Sequence, residues 1–98
     1  MAEKIIWTHQ ALADYEEIKK YLLSSFGDLA VSEFLFSLNK KLDSIQANPT
    51  LYPASLTKKN IRKAVLNKRL IIFYQILPRK KQIAILSLWN TRRNIQKP

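Results

Sequence analysis

Six cations carry most of the chemistry this sequence offers: Arg62, Lys63, Lys68, Arg69, Arg92 and Arg93. Guanidinium and ammonium groups bind phosphates and carboxylates, arginine through a planar two-pronged fork. The first four flank a short turn between two apolar runs and form a candidate phosphate- or acid-binding patch. Arg92 and Arg93 follow the last apolar run directly, where functional side chains often project. The same groups also serve as solvated charges that keep sheet edges from aggregating. Other chemistries are excluded by composition. There is no cysteine, hence no disulfide, thiolate zinc site or thiol nucleophile. There is one histidine, His9, which cannot build a multi-histidine metal site and reads as a surface residue. No metal and no cofactor are expected.

The net charge is +10, and its placement is more informative than its size. All seven acidic residues precede residue 44, whereas twelve basic residues and no acid follow Asn48. Such segregation makes one half repel itself unless a polyanion docks there. Nucleic acid, an acidic protein segment and a membrane surface all have the required sign, the membrane being the least favoured.

These residues need elements to hold them. The 98 residues suffice for one domain with one modest core. Lys4 to Trp7 is a β-branched and aromatic run, read as a first strand. Thr8 can cap a helix from His9 to about Ser25, with Ala11, Tyr15, Ile18 and Leu22 on one stripe. Gly27 ends it, and Asp28 can cap a second helix marked by Val31, Phe34, Leu35, Leu38, Leu42 and Ile45. Asn48-Pro49 stops that helix near Ala47. A proline-rich loop follows, with Tyr52 as a packed anchor. Three strands then read as an antiparallel meander: Ile61–Leu66, Arg69–Leu77 and Gln82–Trp89, with turns at Asn67-Lys68 and Pro78–Lys81. The middle strand is apolar on both alternating sides, which predicts a central position covered on both faces. Tyr74, Trp7 and Trp89 are expected in the core or at an interface. The order is strand, helix, helix, strand, strand, strand: an α+β domain with a helical hairpin on a twisted, mainly antiparallel sheet. Residues 1–98 form one domain, and 90–98 is expected to be an extended or frayed tail.

In this order, several stretches resemble the RelE/ParE superfamily of toxins from type II toxin–antitoxin systems. They are Trp7-Thr8 with Ala11, Asp14 and Ile18; Asn48-Pro49 with Tyr52-Pro53; Leu70 to Ile76; and Leu86 to Asn94. The resemblance covers essentially the whole chain and implies the same hairpin-on-meander fold. It also implies an antitoxin partner, whose acidic C-terminal segment would be drawn by the basic half and held on an apolar stripe or a sheet edge.

The superfamily has two branches. RelE-like members cleave messenger RNA on the ribosome; ParE-like members, the plasmid stabilization proteins, inhibit DNA gyrase without nuclease chemistry. Cleavage needs a general base, a general acid and cations for the phosphorane charge. The RelE pattern supplies a lysine pair on the second strand, arginines on the third and after the fourth, and a tyrosine or histidine in the tail. Here Arg62 stands at the first lysine position and Ala64 at the second. Ile71 occupies the third-strand arginine position, with Arg69 two residues earlier. Arg92 and Arg93 lie near the last arginine position, and residues 94–98 contain no tyrosine or histidine. A nuclease would have to use Arg62, Arg69, Arg92 and Arg93. The resemblance therefore favours the ParE-like, non-enzymatic branch, in which the six cations bind antitoxin or target. A ribosome-dependent endoribonuclease is the alternative, and a basic nucleic-acid-binding module or decayed toxin the third. No leader or membrane-length run is apparent at the level of sequence, so a cytoplasmic protein without membrane contact is expected.

Overall fold

A computed structural model describes residues 3–54 and 60–91. Its elements are β1 (Lys4–Trp7), α1 (His9–Phe26), α2 (Asp28–Ala47), β2 (Ile61–Asn67), β3 (Leu70–Leu77) and β4 (Gln82–Asn90). A 3₁₀ turn at Pro78–Lys80 joins β3 to β4. The expected element order holds. Arg92, Arg93 and the rest of the predicted tail lie outside the described residues.

Local chemistry sets the helix ends. The Thr8 hydroxyl accepts a hydrogen bond from the Ala11 amide, the N-cap arrangement that satisfies a first-turn donor. The same hydroxyl lies 3.0 Å from the carbonyls of both Ile85 and Leu86, so the cap also ties α1 to β4. Gly27 closes α1, its amide reaching the Leu22 and Leu23 carbonyls, and directly precedes α2. Its φ of 93° and ψ of −176° fall in a region essentially reserved for glycine. Asp28, expected as a cap, is instead the first residue of α2, where a carboxylate suits the positive end of the helix.

The sheet order is β1-β4-β3-β2. β1 runs parallel to β4; β4–β3 and β3–β2 are antiparallel. The helical hairpin crosses from one edge of the sheet to the other over a single face. The core lies between them: Ala11, Ile18, Phe34, Leu38 and Ile45 from the helices against Ala64, Ile72, Tyr74, Ile83 and Ile85 from the strands. Full burial of each large aliphatic side chain stabilises by roughly 1.5–3 kcal/mol, so this contact is the main driving force.

Two details depart from the sequence reading. Asn67 ends β2 rather than opening the turn, because its side-chain oxygen accepts the amides of Arg69 and Leu70 and fixes Lys68-Arg69 as the turn. β3 is central, as predicted, but among the described residues the helices cover it on one face only. Ile71, Phe73 and Gln75 remain partly exposed on the other. Alternation explains the difference. An uncovered face that still carries Ile, Phe and Trp reads in sequence like a covered one.

Candidate functional site

The open face of the sheet and the ends of the meander hold the candidate residues. Register places three rows across the open face. Ile61, Gln75, Ala84 and Ile6 form one; Lys63, Phe73 and Ser87 the next; Val65, Ile71 and Trp89 the third. Val65 is 53% exposed, so this apolar surface is in contact with solvent. Lys4 belongs to the same face at its β1 margin, beside Gln82. Trp89 thus stands on the open face, whereas Trp7 packs inward, its ring 5.6 Å from that of Tyr15.

Arg62 lies on the opposite side. It pairs in register with Tyr74, whose side chain is fully buried, and its Nη1 donates to the Tyr52 carbonyl at 2.6 Å. Around it a small polar cluster closes the loop after α2. The Tyr74 hydroxyl donates to the Pro49 carbonyl, the Tyr52 hydroxyl shares a hydrogen bond of 2.8 Å with Ser44, and the two tyrosine rings meet edge to face at 6.5 Å. Burial pushes the Tyr74 hydroxyl up to about 12, against a smaller lowering by Arg62 and a further small rise from Tyr52. Ala64, two residues on, is fully buried beneath the helices.

The four hairpin cations therefore do not form one patch. Lys63 projects to the open face, Arg62 to the helix side, and both lie at the start of β2. Lys68 and Arg69 sit at the other end of that strand, in the turn. Arg79, Lys80 and Lys81 gather at the β3–β4 turn, which is the end of the sheet nearer Arg62 and Lys63. A seven-residue strand separates the groups, so positive charge collects at both ends of the meander. Arg92 and Arg93 lie outside the described residues.

The role of Asp14 and one groove were not foreseen from the sequence. Asp14 Oδ2 accepts the Leu88 amide at 3.0 Å, while Oδ1 accepts from Gln10 at 2.8 Å. β4 reaches past the end of β1 here, and an irregularity in register between Phe73 and Tyr74 leaves Leu86 outside the pairing. Asp14 thus satisfies an edge amide that no strand covers. The second is a groove of ≈ 360 Å³ between the helices and the β2–β3 turn, where Tyr21 and Phe26 are exposed. A run of apolar residues leaving the core stripe near the end of α1 was the available signal.

Chemically, the open face offers apolar area, amide and hydroxyl groups and the Lys63 and Lys4 ammonium groups. Among its described residues there is no imidazole, carboxylate or phenol to move a proton. No group of three or more metal-ligating side chains occurs among the described residues. Among the described residues no helix is long and apolar enough to cross a membrane.

Two helices packed on a four-stranded mixed sheet are the fold of the RelE/ParE toxins. The chain belongs to the ParE toxin family of type II toxin–antitoxin systems, parDE, whose family model matches residues 5–95. Solved structures agree in fold. The chromosomal ParDE system of P. aeruginosa matches with a TM-score of 0.76 at 15% identity, covering 91% of this chain and 96% of that one. The E. coli RelBE toxin–antitoxin complex matches at 0.65 and 15% identity, covering 91% and 96%. The E. coli DinJ–YafQ toxin–antitoxin complex matches at 0.64 and 14%, covering 94% and 96%. No curated protein matches.

Proposed function

We propose that this chain is a ParE-like toxin. It arrests growth by binding an essential macromolecule, with DNA gyrase as the target the family suggests, and a cognate antitoxin neutralises it. The carrying observation is the fate of Arg62. The residue that stands at the nuclease lysine position is turned under the helices and bonded to the Tyr52 carbonyl. Ala64, at the second lysine position two residues along the same strand, is buried and apolar. The open face that remains is suited to binding: apolar rows, lysine at the margin, and no acid–base pair among its described residues. Net charge of +10 favours fast encounter with an acidic antitoxin or with a complex that carries nucleic acid.

Controlled expression tests this reading. Growth arrest with a DNA-damage response, intact translated messages and rescue by co-expressed antitoxin is the expected result. Ribosome-dependent cleavage of translated messages would assign the chain to the RelE-like branch instead. Salt-sensitive nucleic-acid binding with normal growth would assign it to neither.

A further inference from the structure

We infer that the β3–β4 turn end of the sheet, through Lys4, Arg79, Lys80 and Lys81, binds the sugar–phosphate backbone of a DNA duplex. The choice of DNA over RNA rests on the proposed gyrase target. The backbone site itself goes beyond that reading, because it gives the chain a nucleic-acid contact of its own.

Strand pairing brings the four cations together. Lys4 opens β1 in register with Gln82, and its amide donates to the Lys81 carbonyl at 3.1 Å. Arg79 and Lys80 lie in the 3₁₀ turn between β3 and β4. Neighbouring strands are about 4.8 Å apart and a 3₁₀ turn rises about 2 Å per residue, so the four α-carbons span a length on the order of 10 Å. A DNA duplex carries about six charges over that length. All four residues are exposed, and none has an acidic partner among the described residues.

Lys81 adds an observation that charge alone does not. It closes the turn at φ 56° and ψ 46°, the left-handed conformation in which a side chain is strained and glycine is not. Its hydrogen bonds in the turn are made by its backbone: the amide donates to the Pro78 carbonyl, and the carbonyl accepts from Lys4. Glycine would preserve both and relieve the strain. A lysine held at such a position points to a use for its ammonium group.

The surroundings of the cations decide the ligand. Protein interfaces draw their energy from buried aromatic and apolar anchors. No large exposed hydrophobic residue lies in β1, in the turn or at the start of β4. The opposite end of the meander differs, since Arg69 there shares a groove with Glu33, Tyr21 and Phe26. Phosphate binding needs no apolar anchor, because it is driven by counterion release. The turn, Pro78 to Lys81, also has no aromatic ring on which an unpaired base could stack. Cations without rings or apolar anchors suit a duplex backbone, bound without regard to base sequence.

Fluorescence anisotropy of a labelled DNA duplex of about 20 base pairs, titrated with the full chain, tests the inference. Four phosphate contacts predict that log K falls against log salt with a slope of about −3 to −4. Arg79→Ala and Lys80→Ala should each weaken binding alike on unrelated duplex sequences and reduce the slope by about 1. Lys40→Ala, on α2, removes the same charge and should leave the slope unchanged. Lys81→Gly should weaken binding severalfold while holding or raising the melting temperature, since charge and strain leave together. Unchanged affinity in the three turn variants, or an equal drop in slope in Lys40→Ala, would overturn the site. Tighter binding of an RNA duplex of the same sequence would overturn the assignment to DNA. If expression does not arrest growth, the gyrase reading falls, while the duplex titration still decides the turn site.

Discussion

Arg62 donates to the backbone carbonyl of Tyr52 at 2.6 Å, and this bond makes a candidate catalytic cation into a clamp on the loop after α2. A hydrogen bond from a charged donor contributes about 1.5–3 kcal/mol net. Arg62→Ala should therefore lower stability by roughly that amount in urea denaturation. Growth arrest should persist at a temperature where the variant stays folded. A nuclease using Arg62 would show the reverse, with folding intact and activity lost.

Asp14 makes a comparable contribution to β4. Its carboxylate accepts the Leu88 amide where the strand has outrun β1. Asp14→Ala leaves that partly buried amide without its partner, a loss of about 1–3 kcal/mol. Hydrogen exchange should quicken at Leu88 more than at Ile72 in the centre of the sheet. Equal quickening at both positions would mean that Asp14 acts on global stability alone.

Tyr74 predicts an alkaline limb in the stability profile. Its hydroxyl ionises near 10 when unfolded and at about 12 in the fold, because burial disfavours the phenolate. The folded state holds the proton more tightly. Its contribution is complete below pH 10, declines as pH rises towards about 12 and is gone above it. The two-unit rise corresponds to about 2–3 kcal/mol. Tyr74→Phe should flatten that limb and, at neutral pH, cost about 1–3 kcal/mol through the unsatisfied Pro49 carbonyl. An unchanged alkaline midpoint in Tyr74→Phe would place the titration elsewhere.

Most of the fold was legible because it follows from short-range patterns. The stripe Ala11, Tyr15, Ile18 and Leu22 faces inward, Thr8 caps α1, and Gly27 separates the helices. The site was less legible because it depends on which strand face a helix covers. Arg62 and Lys63 are adjacent in sequence and grouped naturally as one patch, yet β alternation sends them to opposite sides. Lys68 and Arg69 are near in sequence and a strand length away in space. The Asp14–Leu88 bond spans 74 positions and has no local signature. Likewise, nothing in Ile71 or Phe73 tells a covered face from an open one.

The open face supplies the sharpest functional test. Lys63 is exposed there beside Phe73, and its backbone amide, not its side chain, holds the Pro53 carbonyl. Lys63→Glu should therefore keep stability within about 0.5 kcal/mol of the parent, as exposed substitutions do. If the target docks on this face, the reversed charge sits at the interface and slows association, and growth arrest should need markedly more inducer. Lys40 is the matched control. It lies on α2, its ammonium 5.5 Å from the centre of the Phe36 ring, on the helix side of the molecule rather than on the open face. Lys40→Glu makes the same change in net charge, so a loss of long-range attraction alone would weaken both variants equally. Loss confined to Lys63→Glu would assign the target to the open face. Equal loss, or none in either variant, would remove it from there.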